Sequence, residues 1–106
     1  MFRGNWRFWR RRSSLAGVRV IVYSRSNCPL CEKAAVFLEA ERRKLGFALE
    51  FVDIVPEAQL MRRFGEWVPV VEVAGKVRFR GAVNPVLWRR LMAGLQAGQN
   101  ESEIQT

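Results

Sequence analysis

A β-branched, apolar run from Val18 to Tyr23 gives way within six residues to Pro29 at the head of a long helical pattern, and this handover constrains the fold most. A run with that composition suits a strand buried on both faces of a sheet. Ser24 to Asn27 is a polar connection. A proline at the first helical position loses nothing by its missing N–H and brings a ready-made φ, so Pro29 places Cys28 at the N-cap. From Leu30 to about Leu45, Ala34, Ala35, Phe37, Leu38 and Leu45 make an apolar side opposite Glu32, Lys33, Glu39, Glu41, Arg42 and Arg43, and Gly46 ends the helix. Ala48 to Asp53 reads as a second buried strand, so the three segments form a right-handed βαβ unit with parallel strands.

Pro56 is expected to open a short helix with Leu60, Met61 and Phe64 on its apolar side and Gly65 at its end. Val68 to Val73 and Lys76 to Arg80 then flank Ala74-Gly75 as an antiparallel hairpin. Asn84 and Pro85 have the chemistry of a cap and first residue for a last helix carrying Val86, Leu87, Trp88, Leu91 and Leu95. From Gly98 the chain is polar and is expected to fray. The order β, α, β, α, β, β, α predicts an α/β domain with a mixed four-stranded sheet and helices on both faces.

At 106 residues the chain can bury one sizeable core without structural metal or several disulfides. Residues 1 to 19 carry Arg3, Arg7, Arg10, Arg11, Arg12 and Arg19 and no acid, six of the eight net positive charges. The rest of the chain, with 12 basic and 10 acidic groups, is nearly balanced, so the charge does not argue for specific nucleic-acid binding. Residues 1–17, which interleave arginines with Phe2, Trp6, Phe8 and Trp9, form a basic aromatic extension expected to be mobile. Its Arg-rich, acid-free composition also fits organelle targeting or anionic-surface binding. The domain is expected over residues 18–97 and a polar tail over 98–106. No apolar run of eighteen residues exists to span a membrane.

The two cysteines, Cys28 and Cys31, are too close for a bridge between them to staple a fold usefully, which points to a reducing, cytoplasmic setting and to chemistry. A thiolate is the nucleophile of disulfide exchange, and a helix N-terminus stabilises its charge through free N–H groups and the helix dipole. Arg25 adds a positive charge three residues upstream, so a Cys28 pKa below that of a free thiol is expected. Cys31, one turn further in, lies on the same face and is placed to resolve a mixed disulfide formed at Cys28.

Three other readings compete. Two ordinary buried cysteines rarely coincide with both this spacing and a strand-to-helix junction. A structural zinc needs four ligands, and the chain has no histidine and no second cysteine pair. An iron–sulfur centre shared with a second subunit or with free thiols stays open, although nothing in the sequence calls for it. Without histidine, neither a Ser-His nor a Cys-His hydrolase can be assembled.

The segment Tyr23-Ser24-Arg25-Ser26-Asn27-Cys28-Pro29-Leu30-Cys31 resembles the active-site segment of glutaredoxins, whose usual pattern is Y-S-K-x-x-C-P-Y-C. Val68-Pro69-Val70 is similar to the T-V-P segment of that family, and the resemblance reaches Gly81 and covers roughly residues 18 to 95. It implies a thioredoxin-like fold and a dithiol oxidoreductase that reduces protein or glutathione mixed disulfides. It further implies that Pro69 is cis and faces the cysteines, that the Val68 backbone pairs with substrate like an added strand, and that Arg25 meets a glutathione carboxylate. Gly81 would stand in the glutathione-binding turn. Leu30 replaces the usual tyrosine, Trp67 a threonine, and Gly81-Ala82 a glycine pair, so a thioredoxin-like supply of electrons to proteins stands beside glutathione chemistry.

No bound cofactor is expected, with glutathione or a thioredoxin reductase as electron donor, and the protein is expected to be a monomer. Trp67 is either a rim for a protein substrate or plain packing, and Trp88 is expected in the core. Arg78, Arg80, Arg89 and Arg90 read chiefly as a solvated face. The rival from another class is a redoxin-fold binding module that grips a protein or an anionic surface through the N-terminal arm.

Overall fold

A computed structural model describes residues 15–105 of the chain. Seven elements follow in order: β1 (Arg19–Ser24), α1 (Pro29–Leu45), β2 (Ala48–Asp53), α2 (Ala58–Phe64), β3 (Val70–Val73), β4 (Lys76–Arg80) and α3 (Pro85–Gln105). The sheet order is β2-β1-β3-β4. β1 runs parallel to β2 with Val20 opposite Leu49, and antiparallel to β3 with Tyr23 opposite Val70. This is the mixed four-stranded sheet of a thioredoxin-like α/β fold. Among the described residues, no helix is long and apolar enough to cross a membrane.

Side-chain alternation along the strands divides the interior in two. On one face, Val20 and Val22 of β1, Val71 and Val73 of β3 and Phe79 of β4 pack with Leu38 of α1 and with Trp88 and Met92 of α3. Trp88 is fully buried, with the rings of Phe47 and Phe37 edge-on at 5.5 and 6.0 Å. Its indole N–H, which would be costly to bury unpaired, donates to Glu41 Oε1 at 2.8 Å. On the other face, Val70 packs with Cys31, Ile54, Phe64 and Val68 beneath the short helix α2. A bulge pairs Val71 with Phe79 but Glu72 with Val77, leaving Arg78 as the extra residue, so Phe79 and Val77 serve opposite faces.

Local chemistry sets most of the boundaries. Gly46 closes α1 in the left-handed conformation, and its N–H bonds Arg42 O. Asn84 caps α3, its Oδ1 accepting from the N–H groups of Val86 at 2.9 Å and Leu87 at 3.1 Å. Ala74 and Gly75 both have positive φ, 52° and 86°, the geometry that a two-residue hairpin turn demands.

Several expectations are corrected. β2 is an edge strand with mostly exposed residues rather than a buried one, because β1 takes the central position and leaves β2 one neighbour. Pro56 lies in a turn, and α2 starts at Ala58: Asp53 Oδ1 accepts from Val55 N, and Glu57 N donates to Ile54 O, so residues 54–57 are spent on the turn. β3 starts at Val70 because Pro69 has no N–H for a sheet ladder. Val86 and Leu87 are half exposed, and Met92 fills the core instead, one turn after Trp88. α3 continues past Gly98 to Gln105, since no proline or left-handed residue stops it. Leu15, assigned to the extension, is fully buried, and its N–H donates to Leu45 O. The packed unit therefore includes residue 15, while residues 1–14 of the basic aromatic arm lie outside the described residues.

Candidate functional site

The site forms at the end of the sheet where β1 finishes and β3 begins. β1 delivers the chain into the loop Arg25 to Asn27, and Asn27 adopts a left-handed φ of 58°, a conformation asparagine tolerates better than most residues. Cys28 follows as the N-cap of α1, with an extended backbone at φ −123° and ψ 98°. Its Sγ accepts the N–H of Cys31 at 3.2 Å, and its carbonyl accepts the N–H of Glu32 at 3.1 Å. The sulfur thus replaces the side-chain oxygen of an ordinary cap, against N–H groups that have no partner within the helix.

Cys28 and Cys31 are joined by a disulfide, with their Cα atoms 5.2 Å apart. The two sulfurs differ in access. Cys28 is partly exposed, whereas Cys31 is only 6% exposed and belongs to the apolar cluster with Ile54, Phe64, Val68 and Val70. The difference follows from position: one residue stands at the helix mouth, and one turn inward the helix lies over the sheet.

The peptide bond between Val68 and Pro69 is cis, and Pro69 is fully buried. Val68 packs in the same cluster as Cys31, with Cys28 against that cluster, so the structure brings Val68 and Pro69 to the cysteines. Gly81 secures this segment from β4: its N–H is shared between Trp67 O and Pro69 O, each at 2.9 Å, and its φ of 83° is one that a side chain would strain. Ala82 does not share that positive φ. Arg25 is exposed in the loop before Cys28 and makes no ion pair among the described residues.

The floor of the site contains groups that motif reading passed over. Ile54 is fully buried directly after β2, and its N–H donates to Ser24 O, tying that loop to the one carrying Cys28. The Phe64 ring packs tilted against that of Tyr23 at 4.9 Å, and the Tyr23 hydroxyl donates to Glu72 Oε1 at 3.1 Å. Burial first, and then the bond to Glu72, raise the Tyr23 pKa above its ordinary value. The apolar side of α2 is legible in the sequence, whereas Ile54 and the meeting of both with Cys31 are not. Trp67, 56% exposed, is a rim residue and not core, and Trp88 is core.

The family model of the glutaredoxin-like domain (DUF836) matches residues 19–96. No curated protein matches the chain. Among solved structures, a Nitrosomonas europaea protein determined by NMR in solution is similar at a TM-score of 0.57 and 28% identity, over 63% of this chain and 81% of that one. Oxidised thioredoxin from Plasmodium falciparum is similar in fold at a TM-score of 0.53 and 14% identity, over 83% of this chain and 89% of that one. With a strand-to-helix Cys28–Cys31 disulfide, a cis Pro69 and a four-stranded mixed sheet all inside the matched span, the chain belongs to the glutaredoxin-like domain family.

Proposed function

We propose that the protein is a thiol–disulfide oxidoreductase in which Cys28 attacks and Cys31 resolves. The observation that carries this reading is the Cys28–Cys31 disulfide at the mouth of α1, with one sulfur accessible and the other buried behind it. In the reduced protein the Cys28 thiolate, favoured by the helix start and by Arg25, attacks one sulfur of a substrate disulfide. That S–S bond breaks, and the leaving thiolate takes up a proton. Cys31 then gives up its proton and attacks Cys28 Sγ, releasing the second substrate thiol. Two electrons pass to the substrate, and the protein is left with the Cys28–Cys31 disulfide. Glutathione or a thioredoxin-reductase-type donor returns the two electrons for the next cycle.

Val68 and Pro69 seat the substrate, with the Val68 backbone as a partner for an extended segment. Gly81 acts as a positioning residue by tying the Trp67–Pro69 segment to β4. A reducing compartment and a monomeric state fit this role.

The test measures reduction of a small disulfide by the full chain with glutathione plus its reductase, and separately with a thioredoxin reductase. Cys28→Ser should abolish activity with both donors. Cys31→Ser should accumulate a covalent mixed disulfide at Cys28, seen by mass spectrometry. Activity surviving in Cys28→Ser, or a mixed disulfide accumulating at Cys31 in that variant with none at Cys28 in Cys31→Ser, would reverse the assignment.

A further inference from the structure

At the end of the sheet that carries Cys28, side chains that ordinarily seek burial stand in water. The described chain exposes seven large apolar residues. Five of them gather here: Leu30 between the cysteines, Val55 after β2, Trp67 before the cis peptide, and Val86 with Leu87 in the first turn of α3. Strand register places them together. Ser24 lies opposite Asp53, Tyr23 opposite Val70, and Val70 opposite Arg80, so the loops leaving β1, β2 and β4 and the loop entering β3 emerge side by side. Single exposed apolar residues are normal, but a group of them around a reactive sulfur marks a binding surface.

Charge divides the same end. Arg80, Arg89 and Arg90 fall between the end of β4 and the second turn of α3, with no acid from Lys76 to Gly98, and none of the three is in an ion pair among the described residues. The acids of this end, Glu32, Asp53, Glu57 and Glu66, lie toward α1, β2 and α2, where Arg25, Lys33, Arg62 and Arg63 balance them, so only the side of β4 and α3 is purely basic. Glutathione, a tripeptide with two carboxylates and no apolar side chain beyond its cysteine, cannot cover five hydrophobic residues spread over two loops and two helix starts.

We propose that this ring docks a disulfide-bearing protein segment in preference to glutathione. The segment is extended, carries apolar side chains beside its cysteine, and places acidic residues toward β4 and α3. Leu30 and Trp67, which stand where the resembling family has tyrosine and threonine, are the specificity-determining residues. This rests on the oxidoreductase reading and deepens it.

The test uses the reduced full-length protein and four probes. Three are synthetic peptides disulfide-linked to cysteamine: one with Leu and Phe flanking the cysteine and an Asp pair beyond them, one with both apolar residues replaced by Ser, and one with the Asp pair replaced by Lys. The fourth is glutathione disulfide. The second-order rate of thiol release is expected to be about tenfold higher for the apolar acidic peptide than for the Ser peptide or glutathione disulfide. The advantage over the Lys peptide should shrink as salt is raised. In Trp67→Ser and Leu30→Ser, both at exposed sites, the ratio of apolar to Ser peptide should fall toward one. Equal rates for the three peptides, a faster reaction with glutathione disulfide, or an unchanged ratio in both variants would overturn the proposal. So would a dimer in sedimentation that Trp67→Ser dissociates, since the ring would then be covered by a second copy. Failure to reduce even a small neutral disulfide would instead remove the oxidoreductase reading beneath it.

Discussion

The face of the sheet beneath α1 and α3 is closed by eleven buried residues centred on Trp88, whereas the face beneath α2 holds five, and Cys31 is one of them. The larger cluster is packed by two long helices and supplies most of the burial that opposes chain entropy. The smaller one is roofed by seven residues of helix, and the disulfide and the cis peptide lie against it. The larger cluster and the candidate site thus occupy opposite sides of β1, and substitutions on the two sides should separate stability from the proposed chemistry.

The largest effect is expected from Trp88→Ala, which removes the centre of the larger cluster together with the bond to Glu41. Loss of about 3–5 kcal/mol in urea unfolding is anticipated, while reductase activity per folded molecule stays near that of the parent. Activity falling further than the folded fraction would break the division between the faces. Phe64→Ala should cost about 3 kcal/mol and, unlike Trp88→Ala, slow disulfide reduction per folded molecule, because Cys31 loses the ring beside it. An unchanged rate would mean that the smaller cluster supports the cysteines less than its packing implies.

Asn84→Ala sharpens the same contrast on a finer scale. Loss of two capping bonds should lower stability by about 1 kcal/mol with no change in reduction of a small disulfide. The smallest effect belongs to Tyr23, the only tyrosine of the chain. Its pKa is raised on folding, so the native state holds the phenolic proton more tightly than the unfolded chain does. That contribution is full below the unfolded value near 10.0 and is lost as pH rises through the higher folded value. Absorbance titration of tyrosinate should show the shift, and Tyr23→Phe should flatten the decline in stability above that pH. Superimposable stability curves for the two proteins would contradict it.

Much of the fold was legible because it is written locally. Pro29 and Gly46 bound α1, Asn84 and Pro85 open α3, and Ala74-Gly75 turns the hairpin, each through backbone chemistry that does not depend on distant contacts. Misreadings arose where sheet order or helix rotation decides burial. Ala48 to Asp53 has the composition of an inner strand but occupies an edge, and Val86 and Leu87 continue an apolar pattern whose buried side is set by Trp88 and Met92. Leu15 looked like part of the arm because a single apolar residue in a basic stretch carries no period.

The sequence by itself determined the order of elements, the two-residue spacing of the cysteines and the placing of Cys28 at a helix start, since periodicity, caps and turns are properties of neighbours along the chain. Only the tertiary structure decided that Val68, Ile54 and Phe64 close around Cys31, that Gly81 clasps the Trp67–Pro69 segment, and that five exposed apolar side chains ring one end of the sheet. Those facts depend on which strand lies beside which, a choice made by burying apolar area across the whole domain at once.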